Sequence, residues 1–262
     1  MSISLNLAKI ILYVTHEYFM VATIAFGYLC ISRQAFARSL VILLFTIVFN
    51  GYLKSIWQIP LPSHLGIKGW AFPSGHMQTA LVFWGWLALE FRSKIFSWLI
   101  AILLFLIAIS LIREGYHNLT DIIGAIIFGS ISLIIYRVII KKLPEKYHPY
   151  IGIMFAIISL VIINSLSHKA KEYLNFTWRM VSVAALLGFS IGWILNHGSV
   201  TANSRLLKLI ICVIGIVALY FVTSYFKPYI PTYTLALSKY FLLGLWVSYG
   251  VDYIVTRLKR YL

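Results

Sequence analysis

Most of this chain is taken up by apolar runs separated by short polar breaks. A helix needs about 20 mainly apolar residues to cross the hydrocarbon core of a bilayer. Runs of about that length occur near residues 7–31, 36–56, 73–91, 95–112, 117–140, 150–166, 179–196, 204–224 and 233–255. Inside lipid each backbone N–H and C=O must find its partner within the protein, which makes such runs helices. The sequence therefore predicts an all-α, polytopic membrane helical bundle with about nine transmembrane helices. Composition agrees: charged residues are 11%, against about 25% in a soluble domain, and a soluble globule is excluded. The first run is too long for a cleaved signal and lacks a small-residue cleavage site, so it is expected to be a retained helix. Cys30 and Cys212 both fall inside apolar runs, which gives no support for a disulfide framework.

The chain has 22 Lys and Arg against 7 Asp and Glu, a net charge of +15. These cations are scattered between the apolar runs, so membrane topology and anionic lipid explain them better than nucleic acid does. With nine spans the 22 divide 13 to 9 between alternate faces. The more basic face is then cytoplasmic and the amino terminus lies outside. Lys141–Lys146, interrupted by Pro144, is the most polar stretch. It separates a five-span front part, residues 1–140, from a four-span rear part, residues 147–262, of unassigned role. No internal repeat is present, and oligomeric state is not legible.

Three stretches on the less basic face concentrate polar groups, and ionisable groups at membrane depth default to function. The first is Lys54–Pro62, the second Phe72–His76, and the third Arg113–Asp121. Pro73 suits the first turn of a helix, whose free N–H groups bind anions. Ser74 adds a hydroxyl, Gly75 permits close backbone approach, and His76 exchanges a proton near neutrality. Arg113, His117 and Asp121 are spaced four apart, so a continuous helix places them on one face. Asp121 can then hydrogen-bond one ring nitrogen of His117, leaving the other as a nucleophile. Lys54 also fits a lysine snorkelling from a span end, and His64 and Glu114 fit a solvated loop or local pairing. His16 and Glu17, in the first run, suit a polar interhelical contact. Asp252 is expected beside Arg257 at the cytoplasmic end of the last span. Neither metal-ligand spacing nor a Gly-rich nucleotide loop occurs.

These residues resemble the type 2 phosphatidic acid phosphatase superfamily of integral membrane lipid phosphatases. Its pattern is K-x6-R-P, then P-S-G-H, then S-R-x5-H-x3-D. Lys54 and Pro62 match the first element, Pro73–His76 the second, and Ser110, His117 and Asp121 the third, over about residues 50–125. The resemblance implies that His117 attacks phosphorus to form a phosphohistidine, that Asp121 orients it, and that His76 protonates the leaving oxygen. It implies that Lys54, Ser74 and Gly75 hold the phosphate, with no metal and no cofactor. Two departures stand out, because the family's arginines fall on Leu61 and Leu111. Arg113, Lys68 and His64 are the local candidates to compensate, although Arg113 lies two residues past Leu111, a turn of about 200° on a helix.

The expected function is a metal-independent phosphatase of the bacterial inner membrane, acting on a lipid phosphate monoester or pyrophosphate near the outer face. Its partners are then a membrane lipid phosphate and the bilayer, not nucleic acid. A lipid phosphotransferase is the first alternative, since sphingomyelin-synthase-like relatives keep both histidines and the aspartate without the full arginine set. A non-catalytic lipid-binding or flipping protein is the second.

Overall fold

The computed structural model describes residues 5–196 and 204–261. It is an all-α polytopic bundle. In chain order the helices are α1 (Leu5–Tyr13), α2 (Glu17–Cys30), α3 (Arg33–Trp57), α4 (Gly75–Phe91), α5 (Lys94–Arg113) and α6 (Leu119–Lys142). They continue with α7 (His148–Ser165), the short α8 (His168–Tyr173), α9 (Phe176–Leu195), α10 (Arg205–Phe226), α11 (Thr232–Leu245) and α12 (Val251–Tyr261).

Each apolar run coincides with helix, yet not every run is one uninterrupted rod. The first is broken, with the Thr15 hydroxyl donating to the Leu12 carbonyl (2.7 Å) and His16 standing as N-cap of α2. The last is divided by a π-helical turn, Trp246–Gly250. Among the described residues six helices are long and apolar enough to cross a membrane: α3, α5, α6, α7 with its short lead-in, α9 and α10.

The central helix is α3, which packs against α2, α4, α7 and α9. Two-thirds of its apolar window (67%) is buried, against 22% in α5 and α10. The outer faces of α5 and α10 show large side chains such as Ile95, Trp98, Phe105, Leu206, Val213 and Phe221. Such a surface would be a liability in water; in a bilayer it meets a solvent as apolar as itself. The main core joins Tyr28, Phe36, Ile42, Phe83, Trp86, Tyr136, Phe155 and Phe189. Small residues bring α9 and α11 together, since a Cβ on Gly188 would collide with the Phe241 carbonyl and one on Gly244 with that of Ala185. This is the close backbone approach typical of helix pairs in lipid.

Charge is distributed unevenly between the two ends of α3. At its start Arg38 holds Glu90 (3.0 Å), Glu145 (3.3 Å) and His148 Nδ1 (3.2 Å). Buried Asp252 pairs with Arg33, with Lys208 (2.9 Å) and with the Asn196 amide (2.9 Å). The expected neighbour Arg257 is therefore not its partner: α12 turns Asp252 inward, onto α3 and α10. A cavity of about 500 Å³ opens at this same end, lined by Arg92, Lys94, Trp98 and Arg137 among others. His76 and His117 lie at the opposite end.

Candidate active site

The C-terminal end of α3 meets the N-terminal ends of α4, α6 and α9 there, beneath the loop 58–74. The start of α4 is fixed locally. Ser74 is its N-cap, its hydroxyl accepting from the Met77 N–H (3.4 Å), and it is completely buried. Pro73 thus precedes the cap instead of occupying the first turn, as expected from sequence. The Ser74 N–H donates to the Asp121 carbonyl (3.1 Å), which lashes the start of α4 to that of α6. Two helix N-termini converge as a result, and their partial positive charges favour an anion between them.

The segment leading to α6 corrects a second expectation. Arg113, His117 and Asp121 do not share one helix, because α5 stops at Arg113 and Gly115 takes φ +71°. A glycine in the left-handed region is the common end of a helix, and the Leu111 carbonyl then receives the Tyr116 N–H (3.1 Å) and the His117 N–H (3.4 Å). His117 sits in this turn, just ahead of the N-cap Asn118. Its pairing with Asp121 survives all the same, at 3.3 Å between Nδ1 and Oδ2. That oxygen also accepts the Asn118 N–H (3.1 Å), while the Asn118 side chain accepts the Asp121 N–H (2.9 Å), a reciprocal capping box. The carboxylate is held from two directions and buried, and with Nδ1 engaged, Nε2 is the nitrogen left to react.

Lys54, in the last turn of α3, donates to the Trp70 carbonyl. The loop closes on itself through Leu61 N–H to Gly69 O (3.1 Å) and Ala71 N–H to Ile59 O (2.7 Å). A Cβ on Gly75 would stand 3.2 Å from Asn50 Oδ1, so the backbone there is approached closely, as anticipated. His76 is exposed. The charges of Lys54 and His76 bear on His117, and those of Arg179 and Asp121 bear on Lys54. Burial chiefly, then Lys54 and His76, hold the His117 imidazole below its ordinary range and keep it neutral.

The proposed substitutes for the missing arginines lie elsewhere. Lys68 turns to Glu172 (3.9 Å) with most of its side chain in solvent, and Arg113 is exposed at the end of α5. Neither is among the charges acting on the two histidines. His64 rests on the Gly115 turn, its Nε2 2.9 Å from where a Cβ on that residue would be. Leu61 packs on Gly69, and Leu111 is fully buried among Met77, Ala80, Ile107 and Ile122. Ser110 is buried with its hydroxyl unpartnered.

Three further residues at this site escaped the sequence reading. The Asn50 amide donates to the Pro73 carbonyl (3.2 Å) and to Gln78 Oε1 (2.8 Å), steadying α4 from α3. Nothing in its local pattern announces that. Asn118 was legible, because Asn-x-x-Asp before an apolar run is a capping signature. Arg179 reaches in from α9, and only the tertiary packing reveals it.

Among the described residues no group of three His, Cys, Asp or Glu side chains is placed to hold a metal ion. No curated protein and no solved structure matches the chain significantly. Two family models do match. The PAP2 superfamily covers residues 35–145, which takes in α3 to α6 and every motif residue named above. The PAP2 superfamily phosphatase transmembrane extension covers residues 180–261, from α9 through α12. The chain belongs to the PAP2 superfamily, whose members are generally phosphatases or phosphotransferases.

Proposed function

We propose that this protein is a metal-independent lipid phosphatase that hydrolyses a phosphate monoester or pyrophosphate on a lipid through a phosphohistidine. The observation that carries the reading is the His117–Asp121 pair standing at the convergence of two helix N-termini, one capped by Ser74. The phosphoryl group rests on Lys54, the Ser74 hydroxyl and the Gly75 backbone. His117 Nε2 attacks phosphorus, and the bond from phosphorus to the lipid oxygen breaks. His76, protonated while the dianion is bound, gives its proton to that oxygen, so the lipid leaves as a neutral alcohol. The Asp121 carboxylate stabilises the positive charge that the His117 ring acquires. Water then attacks the phosphohistidine and passes a proton to His76, releasing phosphate and restoring both histidines.

In this reading residues 1–140 are the catalytic front and 147–262 an extension. The protein lies in the bacterial inner membrane with the site toward the outer face, and the ion-paired end of α3 toward the cytoplasm. Purified His117→Ala, assayed for phosphate release from phosphorylated lipids in mixed micelles, should show no turnover above background while remaining folded. Wild-type rates in that variant would end the proposal. Transfer instead of hydrolysis would show as labelled phosphate appearing in an added lipid alcohol, with little free phosphate.

A further inference from the structure

The two leucines at the family's arginine positions leave the phosphate without a guanidinium from the front helices, yet the site is not without one. Arg179 lies at the end of the first turn of α9, in the rear part of the chain. Its side chain is laid across Gly51 of α3. A Cβ on residue 51 would collide with Arg179 Nε and lie 2.8 Å from Cζ and 2.9 Å from Nη2. Gly51 thus forms a notch that admits the guanidinium one turn before Lys54 and next to Asn50, which itself braces Pro73 and Gln78.

The environment of this arginine is costly. Only 8% of it is exposed, its Nε is buried without a hydrogen-bond partner, and among the described residues no carboxylate pairs with it. Among the charges bearing on Lys54, that of Arg179, a like charge, outweighs that of Asp121. A buried guanidinium beside an ammonium, with one aspartate already committed to His117, is unfavourable unless an anion joins them. A phosphoryl dianion supplies that anion, and the planar fork of arginine suits it.

We infer that Arg179 is a phosphate-binding residue, supplied by the rear helices in place of the arginines that Leu61 and Leu111 replace. This rests on the phosphatase reading for the identity of the site, and it gives α9 a role beyond packing. The anion is the phosphoryl group of the lipid, held between Lys54 on α3 and Arg179 on α9.

The test uses the full chain purified in detergent, with orthovanadate and inorganic phosphate as probes. Calorimetry measures their affinity for wild type, Arg179→Met and Arg179→Lys, alongside thermal midpoints without anion and kcat/KM on a phosphorylated lipid. Arg179→Met should weaken oxyanion binding roughly tenfold to a hundredfold, the range for a hydrogen bond to a charged group. Arg179→Lys should fall between. The midpoint of Arg179→Met without anion should match or exceed that of wild type, because an unpaired buried charge has gone. A purely packing role would instead lower it and spare the affinity. Should Arg179→Met not fold, Arg179→Lys carries the same comparison. Hydrolysis by wild type with undiminished affinity and kcat/KM in folded variants overturns the assignment and leaves the phosphatase reading standing. Arginine-dependent oxyanion binding by a wild type that hydrolyses no lipid phosphate supports the assignment and overturns that reading.

Discussion

Replacing Asp121 by Asn removes a charge and almost nothing else. The amide is the same size, and its oxygen can still accept the Asn118 N–H that the carboxylate accepts at 3.1 Å. The stability cost should stay within about 1 kcal/mol, the scale of one ordinary hydrogen bond. Catalysis is another matter, because in the proposed mechanism His117 carries a positive charge while it is bonded to phosphorus. With Nδ1 and the carboxylate 3.3 Å apart, an effective dielectric of about 20 makes their attraction about 5 kcal/mol. At 1.36 kcal/mol per decade this is between three and four orders of magnitude in rate. Since the amide also offers the wrong pattern of donors half of the time, Asp121→Asn should lower kcat roughly a thousandfold or more. KM should hardly move, as Asp121 does not touch the substrate. The assay is phosphate release from a lipid phosphate in mixed micelles, paired with a thermal melt of the same preparation. A folded Asp121→Asn protein with kcat within about tenfold of wild type would refute the role given to this carboxylate.

Two other outcomes follow from the geometry. Asp252→Asn leaves Lys208 and Arg33 facing each other without their shared acid, and breaking a buried pair of this kind costs about 3–5 kcal/mol; the melting temperature in detergent should fall, while the kcat of the folded fraction holds. For His117 the folded-state pKa lies below the unfolded value of about 6.5, so below that pH the unfolded chain binds more protons than the folded one. Its contribution to stability is intact above the ordinary imidazole range and is lost as pH falls through it, and His117→Gln should flatten that part of a melting-temperature profile against pH.

The helices were legible because a membrane solvent imposes a uniform rule, and each apolar run obeys it. The interruptions were not: the polar Thr15-His16-Glu17 of the first run suits an interhelical contact as well as a break, and the Trp246–Gly250 turn lies in a run with no such polar cluster. The His117–Asp121 contact was readable from a four-residue spacing even though the helix assumed for it ends at Arg113. A turn that places His117 before an N-cap and Asp121 three residues inside brings the two together almost as a helix does. Asp252 was misplaced for the opposite reason. Its nearest cation in sequence is Arg257, but its partners come from α3 and α10, and no local pattern encodes contacts between helices so distant in the chain. Arg179 reads in the sequence as one more of the scattered cations, for the same reason.

Gly51 carries a consequence for lineage. A methyl group at that position would collide with the guanidinium laid across it, so residue 51 stays glycine for as long as Arg179 keeps its place. Among related chains the two should be inherited together, and a lineage that regained arginine at the position of Leu61 or Leu111 would be released from both. On the proposed reading the transmembrane extension, easily taken for a detachable anchor, is tied by descent to the front helices through a single hydrogen atom on α3.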